Sequence, residues 1–274
     1  MSINWKNHWS NYKDDPLSRI NEPYLWSDFV IRHNFIFLDN IIKNYLIGVK
    51  QKKKINFLEL CAGSGMFTRH CSSQDDFIFT TIDKDQHSCD LLSEYAGKNS
   101  NINVICDDIY SLPLESNSQD IIYIGGGLEY LEDIDTCLSE INRVLREDGI
   151  LIANVVPNTL NIQLIGDISI YLRSFFVKGR QKKLVPNNAK RLRAKAYVKA
   201  FTENNFINIQ RHFLTPYPQF SLPRFLKSAY AKVLKKNEQF LLRFNNSNFK
   251  GKEWLTISFD SKEAVEVKNF ESTF

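Results

Sequence analysis

The fold is decided by residues 57–65, which read FLELCAGSG. An apolar run carrying the acid Glu59 leads into a turn of small residues. Two further apolar runs, 77–82 and 102–106, each end beside an aspartate. Short apolar runs bounded by turn residues are typical of buried strands. Since each run delivers an acidic or small residue at its carboxyl end, the pattern predicts a ligand pocket at one edge of a parallel sheet.

Strands and helices alternate through the chain. Strands are predicted over 55–60, 77–82, 102–106, 120–124, 150–156, 206–213 and 254–259. Helices are predicted over 65–73, 86–96, 134–146 and 194–204. Such alternation favours right-handed βαβ units. The expected fold is an α/β, doubly wound, mostly parallel seven-stranded sheet of Rossmann-like type.

Changes in composition mark the domain boundaries. Residues 1–50 carry many aromatic anchors and predict a helical N-terminal cap, with Phe35, Leu38, Ile41, Ile42 and Tyr45 on one helical stripe. One α/β domain is expected over 51–274. Two lid-like insertions, about 158–193 and about 214–252, interrupt this domain with apolar and basic residues.

Composition is that of an ordinary globular protein. The 274 residues are 43% hydrophobic and 24% charged, which is enough for a substantial core. Five cysteines without a Cys-x-x-Cys pair favour reduced thiols over disulfides or a metal site. No secretory leader or run of eighteen apolar residues is visible, so we expect a soluble, cytoplasmic protein.

Basic charge is concentrated in one segment. The net charge is +4, yet residues 178–199 hold nine Lys or Arg and no acid, so the remainder sums to 4 − 9 = −5. A local basic segment indicates a local acidic partner. It fits a helical lid over the sheet, or a face for an amphiphilic or membrane-associated molecule with acidic headgroups. RNA phosphates are a further alternative, although no RNA-binding module is visible.

The turn after the first strand favours a particular ligand chemistry. Residues 62–65 let the backbone pass close to a ligand before a helix begins. No window of residues 61–68 matches the dinucleotide fingerprint G-x-G-x-x-G in full, so a pyrophosphate site is poorly supported. Glu59 repels a phosphate and attracts an ammonium or sulfonium group. The alternative is that Glu59 merely ends a strand.

Carboxylates at the next two strand ends complete the predicted pocket. In this topology an acid such as Asp83 binds ribose hydroxyls, although Asp83 or Asp85 could equally be a helix N-cap. Asp108 could accept a hydrogen bond from an adenine amino group, and Ile109 could pack on the ring. Three such ends in order are stronger evidence than any one of them.

These motifs resemble the class I S-adenosylmethionine-dependent methyltransferases, especially the small-molecule type. The resemblance covers residues 55–156, from the 58–65 turn through Asp83 and Asp108 to the 143–149 segment. It implies that the cofactor S-adenosylmethionine is bound by Glu59, Cys61, Ala62, Gly63, Ser64, Gly65, Asp83, Lys84, Asp108, Ile109 and Gly125. Cys61 departs from the family pattern, where glycine is more common.

The residues that would act on the methyl acceptor are less defined. Tyr130 and Glu129 follow the predicted fourth strand and are the candidate general bases, with a packing aromatic and a helix N-terminal charge as their structural alternatives. Asn154 and Asn158 flank the fifth strand and could orient a substrate. We expect methyl transfer to a small or lipid-like molecule, most readily at oxygen. RNA methylation and a non-catalytic partner subunit are the alternative functions. The sequence is also compatible with a homo-oligomer.

Overall fold

The structure is a computed structural model of the whole chain. It describes residues 26–48, 54–155, 190, 192–214, 224–237 and 252–258. The aromatic-rich first 25 residues and nearly all of the insertion predicted over 158–193 lie outside the described residues.

Seven strands form one sheet. They are β1 (Ile55–Leu60), β2 (Phe77–Asp83), β3 (Ile102–Cys106), β4 (Gln119–Ile124), β5 (Leu145–Val155), β6 (Ile209–Leu214) and β7 (Lys252–Ser258). Their order across the sheet is β3-β2-β1-β4-β5-β7-β6. The first five strands pair in parallel, whereas β7 pairs antiparallel with β5 and with β6. The prediction of a mostly parallel Rossmann-like sheet is confirmed.

Helices cover both faces of this sheet. They are α1 (Trp26–Gly48), α2 (Met66–Cys71), α3 (Gln86–Ala96), α4 (Ile134–Val144), α5 (Ala194–Glu203) and α6 (Arg224–Lys236), with a short 3-10 helix at Leu128–Tyr130. Apolar residues of α4 and α5 share one core cluster with β1, β4 and β5. Residues of α1 and α2 share the other cluster with the opposite face of the sheet. The fold is therefore doubly wound, as predicted.

The alternating side chains of β1 explain the two-sided core. Phe57 points into the cluster with α1 and α2, while Leu58 and Leu60 point into the cluster with α4 and α5. In the cluster with α1 and α2, the ring of Phe67 lies 5.4 Å from that of Phe57 and 5.3 Å from that of Phe35. This packing places α1 directly over the start of α2, at the edge where the pocket was expected.

Helix α4 ends earlier than the sequence predicts. The predicted helix runs to Arg146, but α4 ends at Val144 and β5 begins at the next residue rather than near 150. The backbone N–H groups of Asn117 and Ser118 donate to the carbonyls of Arg143 and Val144, at 2.9 Å each. The loop before β4 therefore satisfies the last carbonyls of the helix and draws the chain into the sheet.

The second insertion contains a helix that the sequence reading did not assign. Helix α6 carries Arg224, Lys227, Lys232, Lys235 and Lys236 and no acidic residue. It contacts α1, buries Leu234 and leaves the side chain of Val233 exposed. In the described part of the chain, no helix has both the length and the hydropathy needed to cross a bilayer.

Candidate active site

A cavity of about 460 Å³ opens at the carboxyl ends of β1 and β4. The strand order reverses between these neighbours, because β1 continues to β2 on one side and β4 to β5 on the other. Ligands of open α/β sheets bind at such a switch point. Of the predicted cofactor residues, the cavity is lined by Glu59, Cys61, Ala62, Gly63, Ser64, Asp83, Lys84, Ile109 and Gly125.

The turn at 61–65 has an unusual backbone. Cys61, Gly63 and Gly65 have φ angles of 51°, 53° and 62°, in the left-handed region that favours glycine. A β-carbon added to Gly65 would lie 2.4 Å from Cδ1 of Leu92. Gly65 is therefore fixed by packing against α3 and does not itself line the cavity. Burial, followed by the charge of Asp83, raises the pKa of the Cys61 thiol to about 12, so this thiol is protonated at neutral pH.

Glu59 is buried and tied to the first turn of α2. Its Oε2 accepts hydrogen bonds from the backbone N–H of Thr68 at 2.9 Å and from the Thr68 hydroxyl at 2.6 Å. Burial raises the pKa of Glu59 to about 7, against the lowering effect of the Thr68 bonds. The carboxyl group therefore joins strand and helix, and it borders the cavity with a charge that changes near neutral pH.

We expect S-adenosylmethionine affinity to rise with pH because of Glu59. A cationic ligand binds the ionised carboxylate better, and a group with a pKa of about 7 becomes ionised as the pH rises from 6 to 8. The dissociation constant should fall by about tenfold over this range, with proton release on binding. Calorimetry in buffers of different ionisation enthalpy measures both effects. Glu59→Gln should flatten the dependence, and an equally steep profile in this variant would contradict the role of Glu59.

Asp83 ties the ends of β1 and β2 together. Its Oδ2 accepts from the backbone N–H of Gly63 at 2.7 Å, and its Oδ1 accepts from that of Asp85 at 2.9 Å. The N-cap of α3 is Asp85, whose carboxylate accepts from the backbone N–H of Ser88 at 3.0 Å. The N-cap alternative for Asp83 is therefore wrong. Each Asp83 oxygen retains a free lone pair, so the carboxylate can still accept from a ligand hydroxyl.

The two residues predicted to contact adenine, Asp108 and Ile109, differ in their relation to the cavity. Ile109 is buried and lines the cavity, as does the exposed Asp107. Asp108 is not among the lining residues; its Oδ1 accepts from the backbone N–H of Tyr110 at 3.2 Å. The predicted contact of Asp108 with adenine stays a prediction. Asp107 is the neighbouring carboxylate that already borders the cavity.

The loop after β4 carries the two candidate bases in different environments. Tyr130 is half-buried and lines the cavity. Glu129 is buried, does not line the cavity, and accepts from the backbone N–H of Gly127 at 3.3 Å. Glu129 thus shapes the loop, whereas Tyr130 is the candidate that a bound molecule can reach.

The polar cavity-lining residues that sequence reasoning did not assign to the site include Asn34 and Tyr123, besides Asp85 and Asp107. Asn34 is a buried polar residue of α1 directly before the apolar run 35–38, and Tyr123 is the hydroxyl-bearing residue after Ile121 and Ile122 in β4. Each was a detectable signal, because a polar group inside a buried element needs a partner. Asn154, predicted as a substrate residue, also lines the cavity, whereas Asn158 lies outside the described residues.

One further polar cluster lies away from the cavity, among the described residues. Ligand atoms of Asp39, His70 and Cys71 all lie within 4.8 Å of one another. His70 Nε2 and Asp39 Oδ2 are 3.1 Å apart, and burial raises the pKa of the Cys71 thiol well above its ordinary value. The cluster is explained by a His–Asp hydrogen bond beside a buried neutral thiol.

Comparison with known proteins agrees with this geometry. The family model for the methyltransferase domain matches residues 58–153. A demethylmenaquinone methyltransferase of Staphylococcus aureus (strain MRSA252) is 30% identical over 103 residues, which are 37% of this chain and 43% of that protein. The chain thus spans less than half the length of the curated relatives it matches.

Solved structures share the fold at low identity. A putative S-adenosyl-L-methionine-dependent methyltransferase from Methanococcus maripaludis has a TM-score of 0.54 at 17% identity, covering 97% of this chain and 100% of that one. Phosphoethanolamine N-methyltransferase 2 of Haemonchus contortus, in complex with S-adenosyl-L-methionine, has a TM-score of 0.56 at 14% identity, covering 94% and 60%. Both likenesses concern the fold alone.

The fold and the cavity place a ligand site at the switch point of a Rossmann-like sheet. With the family match, residues 58–153 form a class I S-adenosylmethionine-dependent methyltransferase domain. The cofactor of this class fits the cavity on two observations. The buried Ser64 hydroxyl lacks a hydrogen-bond partner among the described residues, and residues 61–64 of the turn line the cavity together with Asp83.

Proposed function

We propose that this chain transfers a methyl group from S-adenosylmethionine to a small-molecule acceptor, at oxygen. The observation that carries the proposal is the cavity at the β1/β4 switch point, which is lined by both acidic and aromatic residues. Its volume of about 460 Å³ falls within the usual range for small-molecule sites. The relative named demethylmenaquinone methyltransferase supports a small-molecule acceptor as well.

The residues of the chain supply binding and orientation. When bound, the cofactor would supply an electrophilic methyl group from its sulfonium to the acceptor oxygen, whose proton would leave to solvent. Glu59 and Asp83 favour the positive charge of the sulfonium. Orientation of two reactants can supply about 7–11 kcal/mol of the barrier, so strong general-base catalysis is not required.

Tyr130 is expected to act on turnover rather than on cofactor affinity. Tyr130→Phe keeps the ring of this cavity-lining residue and removes its hydroxyl. Loss of a hydroxyl that positions the acceptor or relays its proton should lower kcat by about tenfold or more. Calorimetry with S-adenosylmethionine should show unchanged affinity.

Tyr95→Phe is the matched control for that substitution. The Tyr95 hydroxyl bonds with Ser72 at 2.8 Å and lies outside the cavity. Its activity should remain that of the wild type. A wild-type kcat in Tyr130→Phe would show that the hydroxyl has no role in turnover and that Tyr130 is a packing residue.

The proposal as a whole is tested by radiolabel transfer. The isolated chain is incubated with methyl-tritiated S-adenosylmethionine and a panel of hydroxylated aromatic molecules, amines and total RNA. We expect label in a hydroxylated acceptor and production of S-adenosylhomocysteine. Label in RNA alone would show that the acceptor is RNA and not a small molecule. Cofactor binding without transfer to any acceptor would favour a non-catalytic partner subunit.

A further inference from the structure

Two buried asparagines border the cavity from elements that the cofactor motifs do not use. Asn34 comes from α1 and Asn154 from the end of β5, and their exposures are 7% and 6%. Within the part of the chain that the structure describes, neither carboxamide oxygen has a hydrogen-bond partner. An unpaired buried amide costs about 1–3 kcal/mol, so such a group usually has a partner in the working state.

The place of Asn154 separates it from the predicted ribose and adenine contacts. Strands β4 and β5 pair with Ile124 opposite Ala153, so Gly125 and Asn154 follow side by side at the same edge. Ribose and adenine are expected near the ends of β2 and β3, on the other side of β1. Asn154 therefore lies on the half of the cavity that also contains Tyr130, where the acceptor must approach.

The charge on the cavity wall restricts the acceptor. The lining residues include four acids (Glu59, Asp83, Asp85, Asp107) and one base, Lys84. One of these negative charges offsets the sulfonium of the cofactor. The remaining excess of negative charge would repel an anionic acceptor. Carboxamides carry no charge and can donate through Nδ2 or accept through Oδ1, and a half-turn of the amide exchanges these two ends.

The remaining wall near Asn34 is apolar. Ile31, Phe35, Met66, Phe67 and Leu131 also line the cavity, and the first two share α1 with Asn34. Such a wall suits a ring or alkyl body whose polar atoms are few. The amides within this apolar wall would then hydrogen-bond to one hydroxyl or carbonyl oxygen of the acceptor and orient it.

We infer that Asn34 and Asn154 form an acceptor subsite for a neutral, largely apolar molecule that presents a hydroxyl group. This inference rests on the proposed function, because it assumes that the other half of the cavity holds S-adenosylmethionine. The two asparagines are positioning residues: they orient the reacting oxygen and do not take part in bond making. The subsite also excludes acidic acceptors, which the basic segment 178–199 alone would have favoured.

A matched pair of probes tests the subsite in the full-length protein. Saturated with S-adenosylhomocysteine, the protein is titrated with neutral 2-naphthol and with anionic 2-naphthoate, which share one ring system. We expect 2-naphthol to bind about tenfold or more tightly than 2-naphthoate, and Asn154→Leu and Asn34→Leu each to weaken 2-naphthol by about tenfold. Equal binding of the two probes, or failure of 2-naphthol to bind, overturns the inference.

The cofactor affinity of the same variants distinguishes failure of the acceptor subsite from failure of the proposed function. Asn154→Leu should leave the affinity for S-adenosylmethionine unchanged, and so should Asn103→Leu, an exposed control on β3 that should also leave naphthol binding intact. Loss of cofactor affinity in Asn154→Leu assigns this residue to the cofactor and overturns the subsite. Absence of S-adenosylmethionine binding by the wild type refutes the proposed function instead.

Discussion

Asp83→Ala should lower the affinity for S-adenosylmethionine by about 100-fold or more while the chain stays folded. The substitution removes the charged acceptor at the end of β2 and releases the backbone N–H of Gly63, which Asp83 holds at 2.7 Å. Hydrogen bonds to a charged group contribute about 1.5–3 kcal/mol each, so losing one ribose contact and one anchor of the turn accounts for this factor. Isothermal calorimetry measures the affinity, and circular dichroism the fold.

Two other aspartates provide the comparison. Asp83→Asn keeps the shape but not the charge, and we expect an intermediate loss. Asp90→Ala removes an exposed carboxylate on α3 that bonds only with Gln86 in the described structure, and it should change nothing. Wild-type affinity in Asp83→Ala would show that the ribose is not bound at the end of β2.

Gly127→Ala should destabilise the protein and weaken cofactor binding, and Cys61→Gly should rescue both. A β-carbon added to Gly127 would lie 2.8 Å from Sγ and 2.9 Å from Cβ of Cys61. Such contacts require one turn to move, which costs about 1–3 kcal/mol in a packed site. In Cys61→Gly the obstructing atoms are gone, and the left-handed φ of 51° suits glycine better. The double variant should therefore approach wild-type stability.

Chemical denaturation of the four proteins in this cycle gives the coupling. We expect Gly127→Ala and Cys61→Gly to be strongly non-additive, since the two residues are in contact. Additive free energies of unfolding would mean that the turns after β1 and β4 do not pack as described. The same cycle explains why this chain carries cysteine where glycine is the more common residue: Gly127 leaves room for the thiol.

Local sequence signals were sufficient for the sheet and for most of the turn residues. Apolar runs ending in small or acidic residues predicted β1 to β3, because a buried parallel strand needs little more than such a run. The same signals could not separate Asp83 from Asp85. Both follow a strand and precede a helix, and only the hydrogen bond to Gly63 across the sheet distinguishes them.

Tertiary contacts determined what the sequence could not show. Asn34 joins the cavity only because the aromatic face of α1 packs against Phe67 on α2, a contact without local signature. Helix α4 stops at Val144 because residues 117 and 118, distant in sequence, bond its final carbonyls. The helical pattern itself would have allowed another turn, so the early start of β5 could not be foreseen.

Hydrogen–deuterium exchange with and without S-adenosylmethionine tests the central claim most directly, since it reports where the cofactor binds. We predict slower exchange in peptides covering 59–68, 82–89 and 125–131 once the cofactor is saturating, because these segments border the cavity. Peptides from 192–214 and 224–237 should exchange as before. Protection confined to those latter segments, or none anywhere, would contradict a cofactor site at the carboxyl ends of β1 and β4.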